Sequence, residues 1–564
     1  MLKIPFRILR YLNPIYLMRR LLFILMNRWR RRTPIDYVSL LLPAEMPTLP
    51  QPTPWLRRKR FGSPPLSLTE LDRMLERIGD DPRPKGVILH LRGFALPLAG
   101  LQTLRTSLLR LRAKGKKIIC FAPAYDNATY YIASVAHEIV LQPGGELNTI
   151  GLRREATFLK DALAQLGIQL DSVAISPYKG AFDQFTRSSI SPEGQEQLEW
   201  LLDSQFDMIT HGIAEARSKS DAEVRTMIDT APHLDQRALA AGYIDFIETE
   251  ENLHRRLNSK HILTWARADK KLLRKWPKRT DRFIALLNVS GMMVQGTSGR
   301  PPVNIPIPFV GGERSGDLTV VQQVRQLMLN ESIAAVILYI NSGGGSASAA
   351  EAMTAALQEL ARKRPLIAFM DGVAASGGYY IATAAQWIIA QPGTITGSIG
   401  VIAAKPVTQG IFDRLRINRL SFTRGANAAL QSDHAPYTDE QRSRVYESIQ
   451  HIYQQFVQRV SASRNLTGES VHAVAGGRVW TGLQAKEHGL VDELGDLQAA
   501  RAKAASLASL PADTPLVVIG AAGLSLPPQL APAAGITDTL QYVNSNVKSL
   551  TNGTAQLLMP FEWK

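Results

Sequence analysis

The sequence predicts an α/β protein built as two tandem copies of one β/α unit. Three observations predict it. Short apolar runs alternate with helix-spaced segments, the pattern of parallel strands joined by crossover helices. Motifs recur at one offset of 249 residues: Tyr130-Tyr-Ile-Ala133 as Tyr379-Tyr-Ile-Ala382, Gln142-Pro-Gly144 as Gln391-Pro-Gly393, Ile150-Gly151 as Ile399-Gly400, and Val87-Ile-Leu89 as Val336-Ile-Leu338. The chain has 564 residues, 45% apolar and 20% charged, which is enough for two or more domains with full cores. A period this long is a domain duplication and not a solenoid.

Taken in order, residues 1–36 form a basic, apolar segment. Residues 1–60 hold thirteen Lys or Arg against two acids, so much of the net charge of +16 is concentrated there. That argues for a local basic surface near the N-terminus and against a nucleic-acid groove along the whole molecule. The longest unbroken apolar run, Leu21 to Met26, is far short of the roughly 20 residues of a spanning helix. No small-residue cleavage site follows it. A basic amphipathic helix lying on an anionic membrane fits best. Snorkelling of Arg19 and Arg20 leaves a short or tilted span open, and a basic tail without a membrane role is the bland alternative.

The proline-broken stretch 43–66, with Arg57-Arg-Lys-Arg60, reads as a connector. The first copy spans 37–270, with a helix over 71–78, a strand over 86–91, a helix over 101–111 and a strand over 117–122. The second spans 271–510, and 511–564 is a C-terminal extension. The ten histidines are scattered and the single cysteine, Cys120, sits in a strand-like run. Neither points to a metal, a cofactor or a catalytic thiol.

The two copies differ where chemistry is expected. In the second, an apolar strand over 365–370 leads into Asp371-Gly-Val-Ala-Ala-Ser376-Gly377-Gly378, followed by a helix-prone run. A serine on such a small-residue elbow stands at a helix start, where free N–H groups and the dipole favour negative charge. Alone, the motif reads more readily as an ordinary tight turn. In the first copy Asn127, Ala128 and Thr129 take the places of Ser376, Gly377 and Gly378, and Arg92-Gly-Phe-Ala-Leu96 takes the place of Asn341-Ser-Gly-Gly-Gly345. A glycine-rich loop just past a strand can aim N–H groups at an oxyanion; the first copy's loop is bulkier. Nucleophile and loop are thus present together in one copy and absent together in the other.

A serine nucleophile needs a base. His434, His451, His472 and His488 stand in no catalytic setting. Lys179, in Ile175-Ser-Pro-Tyr-Lys179-Gly-Ala-Phe182, is flanked by apolar and small residues, and burial lowers a lysine pKa toward neutrality. By local motif its counterpart in the other copy is Arg424, which cannot be deprotonated.

Together Asn341-Ser-Gly-Gly-Gly345, Asp371 to Tyr380, Thr396-Gly-Ser-Ile-Gly-Val401 and Tyr178-Lys179-Gly-Ala resemble bacterial signal peptide peptidase A (protease IV) in its long, duplicated form, from about 37 to 510. The resemblance implies two Clp protease/crotonase-like superhelical β/α domains. It implies Ser376 as nucleophile and Lys179 as general base, with Ser398 orienting the lysine and Gly377 and Gly344 as oxyanion donors. It further implies hydrophobic peptide substrates such as released signal peptides, a homo-oligomer (a tetramer), and a place at the bacterial inner membrane facing the periplasm. Two features depart from the family pattern: Gly343 stands where the family has proline, and arginines interrupt the N-terminal apolar segment. The rival expectations are a non-catalytic membrane scaffold on this fold, or a crotonase-like acyl hydrolase, for which no phosphate-binding glycine motif is found.

Overall fold

A computed structural model describes residues 14–51, 64–276, 280–299 and 312–519, and the backbone of 556–558. Residues 1–13 of the basic segment, the run Arg57 to Arg60 and most of the C-terminal extension lie outside the described residues. Two compact units form, Met1–Leu96 with Gly100–Gly151 and Ile209–Arg279, and Pro97–Ala99 with Leu152–Met208 and Thr280–Lys564. These units divide the chain differently from the sequence copies, because Leu152–Met208 groups with the second unit.

The first unit opens with helix α1 (Pro14–Arg31) and continues through β1 (Tyr37–Leu41), α2 (Leu68–Asp80), β2 (Gly86–His90), α3 (Leu98–Ala113), β3 (Lys117–Asp126), α4 (Asn127–Ala133) and β4 (Glu138–Asn148). α2 starts where the sequence provides a capping box, Ser67 Oγ accepting from the Glu70 N–H and the Glu70 carboxylate from the Ser67 N–H. Strand β5 (Gln169–Ala174) and most of helix α5 (Pro192–Arg217) belong to the second unit. β6 (His233–Leu234), β7 (Phe246–Ile247) and β8 (Ile262–Thr264) complete a sheet of order β6-β4-β3-β2-β1-β8, with β7 also on β4. All its pairings are parallel except β4–β6. β2 is buried at every residue, as a parallel strand covered on both faces must be. Cys120 is fully buried in β3, and burial pushes its thiol pKa up, which makes it inert.

The second unit adds β9 (Phe283–Ser290), β10 (Met292–Val294), β11 (Arg314–Gly316), β12 (Ile333–Ser342), β13 (Gly344–Ser346), β14 (Leu366–Ala375), α6 (Gly377–Ala382), β15 (Trp387–Ala390), β16 (Ile395–Gly397), β17 (Ile402–Val407), α7 (Asp439–Arg464), β18 (Val479–Thr481), β19 (Glu493–Leu494), β20 (Leu516–Ile519) and β21 (Gln556–Leu558). One sheet runs β18-β16-β14-β12-β9-β20, with β15 joining β14 to β19. A second runs β11-β10-β13-β21-β17-β5. β5 pairs antiparallel with β17 from Ala174↔Ile402 to Gln169↔Val407, which ties the lysine-bearing segment to this unit. The core lies between the sheet and its helices, on Val336, Leu338 and Ile340 of β12, Ala368 and Met370 of β14, and Phe456 and Val460 of α7.

The duplication is visible in the polar skeleton as well as in the strands. Arg217 pairs with Asp245, whose other oxygen accepts the Ile139 N–H; Arg464 pairs with Asp492, whose oxygen accepts the Ile388 N–H. Tyr130 Oη donates to the Tyr243 carbonyl at 2.7 Å, and Tyr379 Oη to the Leu490 carbonyl at 2.8 Å.

Candidate active site

Ser376 is the single residue between β14 and α6. Its backbone is at φ +54°, ψ −114°, a region that side-chain-bearing residues avoid. Such a conformation costs on the order of 1–3 kcal/mol and persists where its surroundings impose it. Here the Ser376 N–H donates to the Gly397 carbonyl and the Ser376 carbonyl accepts from the Tyr380 N–H, both at 2.8 Å. The hydroxyl makes no capping bond to the helix it begins. Gly378 must be glycine, because a Cβ there would stand 2.5 Å from the Ser342 carbonyl oxygen.

Lys179 lies in the turn after β5, its N–H donating to the Ser176 carbonyl at 3.1 Å. Its side chain is buried, 1% exposed, and reaches Ser376 and Ser398, both 0% exposed. Nζ stands 2.8 Å from Ser376 Oγ, 2.8 Å from the Ser398 carbonyl oxygen and 2.8 Å from Ser398 Oγ. Burial pushes the Lys179 pKa well below its ordinary value, and no carboxylate is among its Nζ partners. A neutral amine has two N–H bonds and one lone pair. The Ser398 carbonyl can only accept, so it takes one N–H. With the second N–H on Ser398 Oγ, the lone pair faces the Ser376 hydroxyl. That is the geometry in which an amine removes a proton from a serine.

Neighbouring elements hold this arrangement. Ser398 is itself at φ +51°, and its N–H donates to the Arg478 carbonyl at 2.6 Å. Gly477, at φ +92°, lies against the lysine backbone: a Cβ there would stand 2.7 Å from Lys179 Cα. Tyr178 stacks on Trp200 and Trp200 on Trp480, with ring centroids 6.0 and 5.0 Å apart. Trp200 Nε1 donates to the Val479 carbonyl at 2.9 Å, and the Val479 N–H donates to Gln197 Oε1 at 2.7 Å. Helix α5 thereby fixes β18, and β18 pairs with β16 just before Ser398.

The structure therefore brings Ser376, Lys179 and Ser398 together. Gly377 is the first residue of α6, so its N–H has no acceptor within the helix. Gly344 lies beside it, since a Cβ on Gly377 would stand 3.1 Å from Gly344 Cα. The Gly344 N–H donates to Ser342 Oγ at 3.1 Å, so it is engaged in this conformation. His472 bonds Tyr453, His451 bonds Gln455, and His488 packs on Trp480, all away from Ser376. Arg424 bonds the Thr423 carbonyl on the surface. Sequence reasoning missed Gly477, Gln197 and the Tyr178–Trp200–Trp480 stack. The glycine pair Gly476-Gly477 is visible in the sequence, but nothing there links it to position 179.

The sequence profile of peptidase family S49 matches residues 110–263 and again 358–511, more than half of the chain. The chain belongs to peptidase family S49. The S49 domain occurs in it twice, as in the long form of the family, and it is a serine-type peptidase. A Clp protease profile matches residues 309–392, across the strands that lead to Ser376 and the elbow itself. Among similar proteins, the chloroplastic serine protease SPPA of Arabidopsis thaliana is 30% identical over 509 residues, covering 87% of this chain and 73% of that one. Protease 4 of Haemophilus influenzae is 29% identical over 470 residues, 78% of this chain and 73% of that one. Protease 4 of Salmonella typhi is 28% identical over 462 residues, 79% and 72%.

Proposed function

We propose that this S49 peptidase is an endopeptidase working through a Ser376–Lys179 dyad on extended hydrophobic peptides, released signal peptides among them. The observation that carries the reading is the uncharged environment of Lys179 Nζ at 2.8 Å from Ser376 Oγ. Lys179 takes the hydroxyl proton as Ser376 Oγ attacks the peptide carbonyl. The Gly377 N–H, with the neighbouring Gly344 loop, faces the developing oxyanion. The lysine ammonium then protonates the leaving amine, and an ester on Ser376 remains. Lys179 next deprotonates a water, which releases the acid and restores the serine. Ser398 orients the amine throughout. Apolar side chains flank the lysine turn and β17, with Ala181, Phe182, Ile402 and Ala404 buried together and Met292 against them, which favours apolar substrate residues.

The reading extends to the membrane. No helix among the described residues is long and apolar enough to cross one. α1 sets Tyr16 and Phe23 against Trp276, and Asn27 against the Arg274 carbonyl, while Leu21, Ile24, Leu25 and Trp29 are exposed between arginines. An apolar, basic face of this kind suits an anionic bilayer surface. By the family resemblance, the setting is the inner membrane facing the periplasm and the assembly is a tetramer. A serine-directed covalent probe tests the chemistry: it labels Ser376 in the wild type and nothing in Ser376→Ala. Labelling elsewhere, with peptide hydrolysis intact in Ser376→Ala, refutes the dyad. Deleting residues 1–32 is expected to release an active enzyme from membranes; unchanged retention refutes the α1 anchor.

A further inference from the structure

Arg478 reaches the dyad's amine from two sides. Its carbonyl accepts the Ser398 N–H at 2.6 Å, and Ser398 in turn holds Lys179 Nζ through its carbonyl and its Oγ, each at 2.8 Å. Its guanidinium lies over the ring of Tyr178, the neighbour of Lys179 in the chain, with Cζ 4.1 Å from the centroid. One residue thus joins the turn that carries the base to the residue that orients it. Nη1 also donates to the Ala475 carbonyl at 3.1 Å, which ties the guanidinium back to its own loop. Two residues on, Trp480 meets the same turn through Trp200, which stacks on Tyr178.

The first repeat lacks this clasp. β18 pairs with β16 through Thr396↔Trp480 and Ile395↔Thr481, and β6 pairs with β4 through Leu147↔His233 and Glu146↔Leu234. At the 249-residue offset Leu147 answers Thr396, so His233 answers Trp480 and Ala231 answers Arg478. By the motif that sets Arg424 against Lys179, Thr423 answers Tyr178. Ala231 stands in the copy whose elbow carries Asn127, and Thr423 stands beside the arginine that replaces the base. Guanidinium and ring therefore occur where serine and lysine occur, and are lost where these are lost. A contact that served the fold alone would be expected in both copies, as the two Arg–Asp pairs are.

Resting on the dyad reading above, we infer that Arg478 is a positioning residue for the hydrolysis: by clamping the Tyr178 ring it sets how close Lys179 Nζ stands to Ser376 Oγ. It acts through Tyr178 and Ser398, and not on the reacting atoms. The loop has supports of its own, with the Gly477 N–H on the Ile399 carbonyl at 2.9 Å and the Ser176 hydroxyl on the Gly476 carbonyl. It therefore folds without the guanidinium, and what the guanidinium adds is precision. A misplacement of about 1 Å costs on the order of a hundredfold in rate. A looser turn also admits water to Nζ, which burial holds neutral.

The test measures kcat, KM and the pH profile of folded variants on one quenched fluorescent apolar peptide. Arg478→Ala is expected to lower kcat about 10- to 100-fold with KM within about twofold. The acid limb of its kcat/KM profile is expected to move to higher pH, as the amine regains its ordinary affinity for a proton. Tyr178→Leu, which removes the ring, is expected to do the same, and Tyr178→Phe, which keeps the ring, to recover most of the loss. The double variant Tyr178→Leu/Arg478→Ala is expected to lose no more than the worse single variant, because both remove one contact. The tyrosine pair carries the comparison if Arg478→Ala fails to fold. Wild-type kcat and an unmoved acid limb in the single variants overturn the inference, as do losses that multiply in the double variant. A change in KM alone also overturns it, because it would make Arg478 a substrate-binding group. Hydrolysis surviving in Lys179→Arg would count against the dyad itself; an inactive Lys179→Arg beside an unaffected Arg478→Ala would sink only the positioning role.

Discussion

Two helix starts, one in each repeat, show what duplication kept and what it changed. At α4 the chain makes an ordinary capping box: Asp126 Oδ1 accepts from the Thr129 N–H at 2.8 Å, and Thr129 Oγ1 accepts from the Asp126 N–H at 2.8 Å. Asn127, equivalent to Ser376, bonds across to Gly151 by its side chain, donating to that carbonyl at 2.6 Å. At α6 there is no capping bond, and Ser376 sits at positive φ. The first repeat spends its polar groups on holding the helix; the second leaves the hydroxyl uncommitted to the helix, beside a buried amine. Yet the tyrosine and arginine–aspartate supports match between the repeats. Scaffold and chemistry therefore diverged independently, which is possible because the supports bond the carbonyls of Tyr243 and Leu490 and the N–H groups of Ile139 and Ile388, and none of them uses the side chain at 127 or 376.

The sharpest way to break this comparison is to disable the second repeat. Lys179→Arg keeps a positive charge that cannot accept a proton. Peptide hydrolysis by Lys179→Arg and by Ser376→Ala is expected to fall by at least about a thousandfold. Turnover near the wild-type level in folded Lys179→Arg would assign the base elsewhere.

Next comes the charge state of Lys179. Its folded pKa is depressed, so the amine is protonated and idle below that value, and kcat/KM rises with pH through it. The same shift bears on stability. Between the lowered pKa and about 10.4 the unfolded chain holds a proton that the folded chain lacks. Stability from this group therefore falls as pH drops through that window and recovers as pH rises toward about 10.4. Lys179→Met removes the effect. It is expected to be inactive yet more stable than wild type at pH 7, with the gap closing as pH rises in urea unfolding series. A gap independent of pH would mean that Lys179 is charged in the folded protein.

Ser398→Ala is expected to lower kcat about 10- to 100-fold, less than loss of the base, because the Ser398 carbonyl still holds the amine. Its kcat against pH should shift as well, since the hydroxyl partner of Nζ is gone; an unchanged profile would make Ser398 a packing residue only.

The smallest effects test the shared scaffold. Arg464→Ala and Arg217→Ala each leave a partly buried aspartate without its partner and are expected to destabilise by about 1–3 kcal/mol. Arg464→Ala should cost more, because its side chain is 8% exposed against 13% for Arg217. Asn127→Ser is expected to gain no probe labelling, since α4 keeps its capping box and Asn127 lacks the positive φ of Ser376.

The sequence by itself determined the duplication, the strand–helix alternation and two of the residues that meet at the site, Ser376 and Lys179; Ser398 came with the family resemblance. Those signals are local: the apolar runs 117–122 and 365–370 lie where strands form, and Ser376 and Lys179 are chemically out of place unless used together. Predicted strand ends fell short, with 117–122 extending to Asp126 and 365–370 to Ala375, because small residues past the apolar run still pair with the next strand. What only the tertiary structure decided is which parts of the chain share a unit. Leu152–Met208 follows the first repeat in sequence, but β5 pairs along β17, and the hydrogen bonds of that ladder outweigh chain proximity. The glycine at 477 that admits the lysine, and the Gln556–Leu558 strand between β13 and β17, are likewise contacts between residues far apart in sequence. Such contacts leave no periodicity to read, because backbone fit and strand pairing depend on shape and register, which exist only once the chain has folded.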